Sequence, residues 1–253
     1  MTKNVRIVTP VITEGIRTLD DLAPFERADL TFSHSLLQVG PSSIECEYDE
    51  ALAVPDTIAK TIMAERDGAD AVVIDCMGDP GLKPAREVAA IPVLGPCETS
   101  MHVAAMLGHR FSIVTVLDSV RPMLEDKAKI YGVYDKLASV RAIDIPVLEI
   151  EEDVGKVQRA LADEAFAAVR DDKADVIVLG CTGFIGCADA IKSELARNGY
   201  EVPVIDPIQV TALIAAALAD LGLSQSKTTY APPREKTIVG FDMPRQPDAA
   251  AAE

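Results

Sequence analysis

The sequence predicts an α/β protein of two pseudo-symmetric, flavodoxin-like lobes. Each lobe is a four-stranded parallel sheet flanked by helices, with a functional cleft between the two. Three observations predict this. First, a stretch occurs twice: Asp70, Cys76 and Gly78 map onto Asp175, Cys181 and Gly183 at one constant offset of 105 residues. Second, the likeness extends both ways. Arg6 to Thr9 matches Ser112 to Thr115 at an offset of 106, and Ile91 to Pro96 matches Val202 to Pro207 at 111. A unit of roughly 110 residues has been duplicated, which is no short solenoid period. Third, apolar β-branched runs alternate with amphipathic or Ala-rich stretches, the pattern of parallel strands joined by helical crossovers.

In order, Val5 to Ile12 reads as the first strand and Thr13 to Phe25 as a loop and helix. Leu30 to Val39 reads as the second strand, closed by Gly40-Pro41-Ser42-Ser43. Pro55 to Arg66 reads as a helix with Ile58 and Ile62 inward. Ala71 to Cys76 is a buried strand, Leu82 to Ala89 a short helix, Pro92 to Gly95 a strand and Thr99 to Leu107 a closing helix. The second unit repeats this order. Phe111 to Leu117 is a strand, Arg121 to Tyr131 a helix and Ser139 to Pro146 a weaker strand. Val154 to Arg170 has apolar residues at helical spacing. Val176 to Gly180 is a strand, Cys187 to Asn198 a helix, Val202 to Ile205 a strand and Val210 to Leu221 a helix. The expected division is 1–108 for the first lobe, completed by 208–240, with 109–207 for the second. The polar, Pro-containing end, 241–253, is expected to be mobile.

Composition narrows the partners. Apolar residues make up 49% and charged residues 25%, ordinary for a globular chain. The net charge of −16 argues against nucleic acid and against an anionic membrane surface. No apolar run approaches the length of a membrane-crossing helix. Aromatics are only 4%, which argues against stacked base or sugar platforms. Five cysteines without CxxC spacing, and no leader-like h-region, point to free thiols in a cytoplasmic setting. A small-molecule substrate remains as the expected partner.

Parallel sheets bind ligands at the carboxyl ends of their strands. Four such ends carry Thr9, Cys76, Thr115 and Cys181, two pairs related by the duplication. A glycine follows each cysteine by two residues. Backbone N–H groups in that turn favour an anion, so they are expected to lower the thiol pKa and to hold a developing oxyanion. A single cysteine at a buried strand end is ordinarily a small core residue. The duplication raises the pair Cys76 and Cys181 to catalytic candidates. Two opposed thiols suit one reaction well: one thiolate removes a proton from carbon, and the other thiol returns a proton to the opposite face. Cys46, Cys97 and Cys187 have no mate and read as structural. No metal site is expected, since the histidines and cysteines lack ligand spacing. Asp75 precedes Cys76, but its mate is Gly180, and strand alternation is expected to point it away from the cysteine side chain.

At these residues the chain resembles the aspartate/glutamate/hydantoin racemase superfamily, and most closely its hydantoin and allantoin racemase branch. The motifs are Ile74-Asp75-Cys76-Met77-Gly78-Asp79-Pro80-Gly81-Leu82, Arg86-Glu87, Pro92 to Pro96, Arg110 to Thr115 and Leu179-Gly180-Cys181-Thr182-Gly183. The likeness covers roughly residues 5 to 240. Cys-x-Gly-Asp-Pro-Gly marks the hydantoin branch, whereas the glutamate branch carries Cys-Asn-Thr at the first cysteine. The resemblance implies that Cys76 and Cys181 are the acid/base pair. It also implies no cofactor and a homo-oligomer. Thr9 and Thr115 are substrate-contact candidates by their symmetry, against the alternative that they bond their own backbone, and Met77, Gly78, Asp79, Thr182 and Gly183 beside the cysteines are further candidates. Two departures touch the pocket: Thr9-Pro10-Val11 stands where hydantoin racemases carry Asn-Pro-Asn, and Thr182 where they commonly carry Ala. The expected reaction is racemisation at C5 of a 5-substituted hydantoin or allantoin. No Arg or Lys lies beside either cysteine motif before Lys83, which favours a neutral cyclic ureide over a free amino acid. The rival readings are an aspartate/glutamate-type racemase, an arylmalonate-type decarboxylase, a maleate-type isomerase and a non-catalytic relative.

Overall fold

A computed structural model of the chain describes residues 2–241 and 243–244. The end expected to be mobile, 241–253, lies almost wholly outside the described residues. The first half carries β1 (Lys3–Thr9), β2 (Leu30–Leu36), α1 (Glu47–Arg66), β3 (Ala71–Ile74), α2 (Leu82–Val88), β4 (Val93–Leu94) and α3 (Pro96–Leu107). The second half carries β5 (Phe111–Thr115), α4 (Arg121–Ile130), β6 (Leu137–Ala142), α5 (Val154–Arg170), β7 (Val176–Leu179), α6 (Cys187–Arg197), β8 (Val204–Ile205) and α7 (Pro207–Asp220). The two sheets have the orders β2-β1-β3-β4 and β6-β5-β7-β8, and every pairing is parallel. No helix among the described residues is long and apolar enough to cross a membrane.

The repeated residues do the same structural work in both halves. Asp70 accepts the Asn4 backbone N–H at 2.8 Å, tying the start of β3 to β1. Asp175 accepts from His109 and Arg110 at 2.8 and 2.9 Å, tying the start of β7 to β5. The proline carbonyls do likewise, Val72 N–H donating to Pro92 and Ile177 N–H to Pro203, each at 2.9 Å. At the far ends, Asp75 N–H donates to Val8 and Gly180 N–H to Val114. Thr9 and Asp75 therefore sit side by side, as do Thr115 and Gly180.

The halves exchange their closing helices. On one face of the first sheet, α1 and α2 cover Val8, Val72 and Ile74. The other face, with Val5, Ile7 and Val73, is covered by α7 through Ile208, Ala212, Ala215 and Ala216. In the second sheet, α5 and α6 cover Val114, Ile177 and Leu179. Its opposite face, with Phe111, Ile113 and Val178, packs on α4 and on Cys97, Met101 and Ala104 of α3. Thus α3, expected to close the first lobe, lies on the second sheet, and α7 lies on the first. The two helices pack together between the sheets. Beyond α7, Gln225 and Lys227 fasten the chain to the carbonyls of Val93, Arg86 and Ala89 in the first half.

Two elements differ from expectation. Thr13 to Phe25 holds no α-helix; only a 3-10 turn forms, at Ala23–Phe25. Gly15 takes φ 80° and Pro24 removes a donor, so a continuous helix has poor support. Conversely, α1 starts at Glu47 rather than Pro55, which lies inside it. Glu47, Asp49 and Glu50 in its first turn favour the positive helix end, and this charge pattern was available in the sequence.

Candidate active site

The carboxyl ends of β1, β3, β5 and β7 meet in one cleft of about 690 Å3, its mouth included. Of the residues singled out in the sequence, Thr9, Cys76, Met77, Gly78, Thr115, Cys181, Thr182 and Gly183 all line it. Asp79 does not. Its carboxylate accepts from Cys97 N–H at 3.0 Å and Glu98 N–H at 2.9 Å, and from the Tyr131 hydroxyl at 2.7 Å. It caps α3 and ties that helix to α4, and burial pushes its pKa up to about 7. The expectation of substrate contact at Asp79 is corrected accordingly. Gly95 leaves room for this carboxylate: a Cβ there would lie 2.3 Å from the Asp79 carboxyl carbon.

The two cysteines stand in matching environments. Gly78 N–H donates to Cys76 Sγ at 3.4 Å, and Gly183 N–H donates to Cys181 Sγ at 3.3 Å. These donors stabilise a thiolate, as the Gly turns led one to expect. Burial outweighs them. It raises Cys181 to about 12, with Asp75 adding to the effect, and lifts Cys76 well above the ordinary thiol range, with Glu50 and Cys181 adding to it. The expectation of lowered thiol pKa values is therefore corrected: burial shifts both sulfurs toward the neutral thiol. Cys97 and Cys187 are buried in the cores of the second lobe, and Cys46 is exposed at the start of α1.

The threonine pair is equivalent in position but not in bonding. Thr115 Oγ1 donates to the Gly180 carbonyl at 3.0 Å, while Thr9 Oγ1 donates to Asp75 Oδ2 at 2.6 Å. With the Thr9 hydrogen committed, His34 Nε2, 2.9 Å away, is the donor to Thr9 Oγ1, which fixes its tautomer. Burial lowers the His34 pKa and keeps the ring neutral, though Asp75 opposes this. Thr182 Oγ1 reaches across to the Asp75 carbonyl at 3.3 Å.

Asp75 itself lies in the cleft wall, its carboxylate turned to Thr9 and Arg17. The ladder stops at Ile74, and Cys76 N–H folds back onto the Ile74 carbonyl at 2.8 Å. That tight turn ends the strict up-and-down order of side chains. The sequence also offered no signal for Arg17, which lines the cleft from the irregular segment after β1. Its Nη2 grips both Asp21 oxygens at 3.0 Å, and its Nε stands 3.5 Å from Asp75 Oδ2. Burial works against the Arg17 charge, but Asp75 and Asp21 more than offset it. No Arg or Lys lies beside either cysteine motif along the chain before Lys83, yet the fold brings Arg17 into the wall of the same cleft. Most of the remaining lining is apolar, including Val116, Val120, Met123, Leu124 and Val147.

One side of the cleft is strapped shut by the segment leading into α1. Glu45 Oε1 accepts from Val147 N–H at 2.7 Å, and Glu50 meets Lys127 at 3.5 Å, joining the two halves.

Residues 16–215 match the family described as Asp/Glu/Hydantoin racemase. A hydantoin racemase of Pseudomonas sp. (strain NS671) is 38% identical over 241 residues, covering 93% of this chain and 94% of that protein. A hydantoin racemase of Rhizobium meliloti is 42% identical over 201 residues, covering 79% and 81%. Among solved structures, an allantoin racemase from Klebsiella pneumoniae superposes with a TM-score of 0.87 at 31% identity, over 94% of this chain and 97% of that one.

Proposed function

The chain belongs to the Asp/Glu/hydantoin racemase family, and we propose that it racemises C5 of 5-substituted hydantoins with two cysteines and no cofactor. The observation that carries the reading is the matched pair, Cys76 and Cys181, at equivalent strand ends in one cleft, each with a glycine N–H on its sulfur.

The C5–H of a hydantoin is acidic because its electron pair can pass onto the C4 carbonyl oxygen. One cysteine, as thiolate, takes the C5 proton and becomes a thiol. The electron pair rests as an enolate. The other cysteine then gives its own proton to C5 from the opposite face and is left as the thiolate. The ring is inverted, and the enzyme is ready for the mirror-image substrate. Burial favours the thiol at both sulfurs, in keeping with a reactive form that carries a single thiolate. The apolar side of the cleft suits an alkyl or aryl substituent on C5 better than the polar ureido group of allantoin. The substrate is a small molecule, and a homo-oligomer in the cytoplasm is the setting proposed for it.

Proton NMR in D2O tests this against a panel of L-5-alkyl hydantoins, allantoin, aspartate and glutamate, with enzyme-free controls. The C5–H signal of the alkyl hydantoins should vanish while optical rotation falls. Exchange at Cα of aspartate or glutamate instead, or exchange nowhere, would overturn the proposal.

A further inference from the structure

The mechanism leaves three buried polar atoms in the cleft wall without a hydrogen-bond partner: Nη1 of Arg17, Oδ1 of Asp75, and Nε of Arg17, which has only its 3.5 Å ion-pair contact with Asp75 Oδ2. Arg17 is 6% exposed and Asp75 3% exposed, and both line the cleft. An uncompensated buried polar atom is costly, and a charged one more so. Yet the surrounding network is thorough. Asp21 holds the other arm of the guanidinium, Thr9 (itself held by His34) donates to the other oxygen of Asp75, and Thr182 holds the Asp75 carbonyl. Both side chains are fixed in place while their remaining donors and acceptor have no hydrogen-bond partner.

Resting on the racemase reading, we infer that Arg17 and Asp75 form a donor–acceptor edge that binds the amide of a cyclic ureide. Asp75 Oδ1 accepts a ring N–H, and Arg17 donates to the adjoining carbonyl oxygen. The pair complements an N–H beside a C=O. It does not complement a free carboxylate, which would set an anion against the open oxygen of Asp75. The charge around Arg17 points the same way, since three aspartates, Asp21, Asp75 and Asp206, surround one guanidinium. The duplication does not repeat this edge. The mate of Asp75 is Gly180, where a side chain is excluded because a Cβ would lie 2.7 Å from Thr115 Cβ. One half of the molecule therefore reads the ring, and the other supplies a largely apolar wall.

Calorimetry with unsubstituted hydantoin as the achiral probe tests the edge without requiring turnover. N1-methyl- and N3-methylhydantoin are the matched probes, and succinate is the dianionic control. Loss of one hydrogen bond to a charged group should weaken binding about ten- to a hundredfold. The wild-type protein should show that loss with one of the two methylated rings and should not bind succinate. Asp75→Asn and Arg17→Lys should each weaken hydantoin, and the methylated ring should lose nothing further in Asp75→Asn. Methylating the ligand leaves the protein intact, so a poorly folded variant does not obscure the answer. Equal binding of all three rings, or tighter binding of succinate, would overturn the inference. If N-methylation matters but C5–H does not exchange, the edge stands and the two-thiol reading falls. If alkyl hydantoins racemise while N-methylation and Asp75→Asn are silent, the reverse holds.

Discussion

Cys76 and Cys181 combine two opposing influences at one atom. A glycine N–H favours the thiolate, and burial disfavours it more strongly. In the folded chain both sulfurs hold their protons to higher pH than in the unfolded chain, where thiols ionise near about 8.5. Two consequences follow, with opposite signs. Above that pH the unfolded state releases protons that the folded state keeps, so these thiols withdraw stability as the solution becomes alkaline. The thiolate that starts catalysis is scarce at neutral pH, so kcat/KM for an alkyl hydantoin should climb steadily between about pH 6 and 8. A pH–rate profile corrected for uncatalysed exchange checks this; a flat profile over that interval would mean a thiolate already formed at rest. The cysteines were legible in the sequence because they recur at a fixed spacing. Their protonation was not, because it depends on how deeply the surrounding elements bury them. Arg17 was illegible for a different reason: it is distant from Asp75 along the chain, in an aperiodic segment, with no mate in the second half.

At the scale of the element, the strand ends decide what reaches the cleft. Most strands could be read from β-branched runs bounded by glycine and proline. The place of Asp75 in the cleft wall was not legible from strand alternation, because the ladder stops one residue before it. The start of α1 was missed because Pro55 was taken as a boundary, although the acidic run before it satisfies a helix N-terminus. Gly180 shows how closely the end of β7 approaches β5. An added Cβ would lie 2.7 Å from Thr115 Cβ, 2.8 Å from Ile113 Cγ2 and 2.9 Å from Thr115 Cα. Since Thr115 is also bonded to the Gly180 carbonyl, the neighbours have little freedom to move. Gly180→Ala should cost about 1–3 kcal/mol of stability, as overpacking in a core does, and should displace the adjacent Cys181. Urea unfolding monitored by circular dichroism measures the first effect and kcat the second; an unchanged midpoint would contradict the packing argument.

For the whole molecule, the duplication sets the architecture and its imperfections set the specificity. Two sheets of the same strand order face one cleft, and α3 and α7 cross between them so that each half completes the other's core. The order of strands followed from the sequence, because parallel crossovers allow few alternatives. The exchange of α3 did not, since its composition does not say which of the two sheets it packs on. The same pseudo-symmetry brings one thiol from each half to a shared substrate. Cys76→Ser and Cys181→Ser therefore test the central claim most directly, assayed by optical rotation of an L-5-alkyl hydantoin and by circular dichroism for folding. Each variant should remain folded and lose racemisation by at least about a hundredfold, the usual worth of a positioned acid or base. A folded variant of either kind that racemises at nearly the wild-type rate would contradict the two-thiol account.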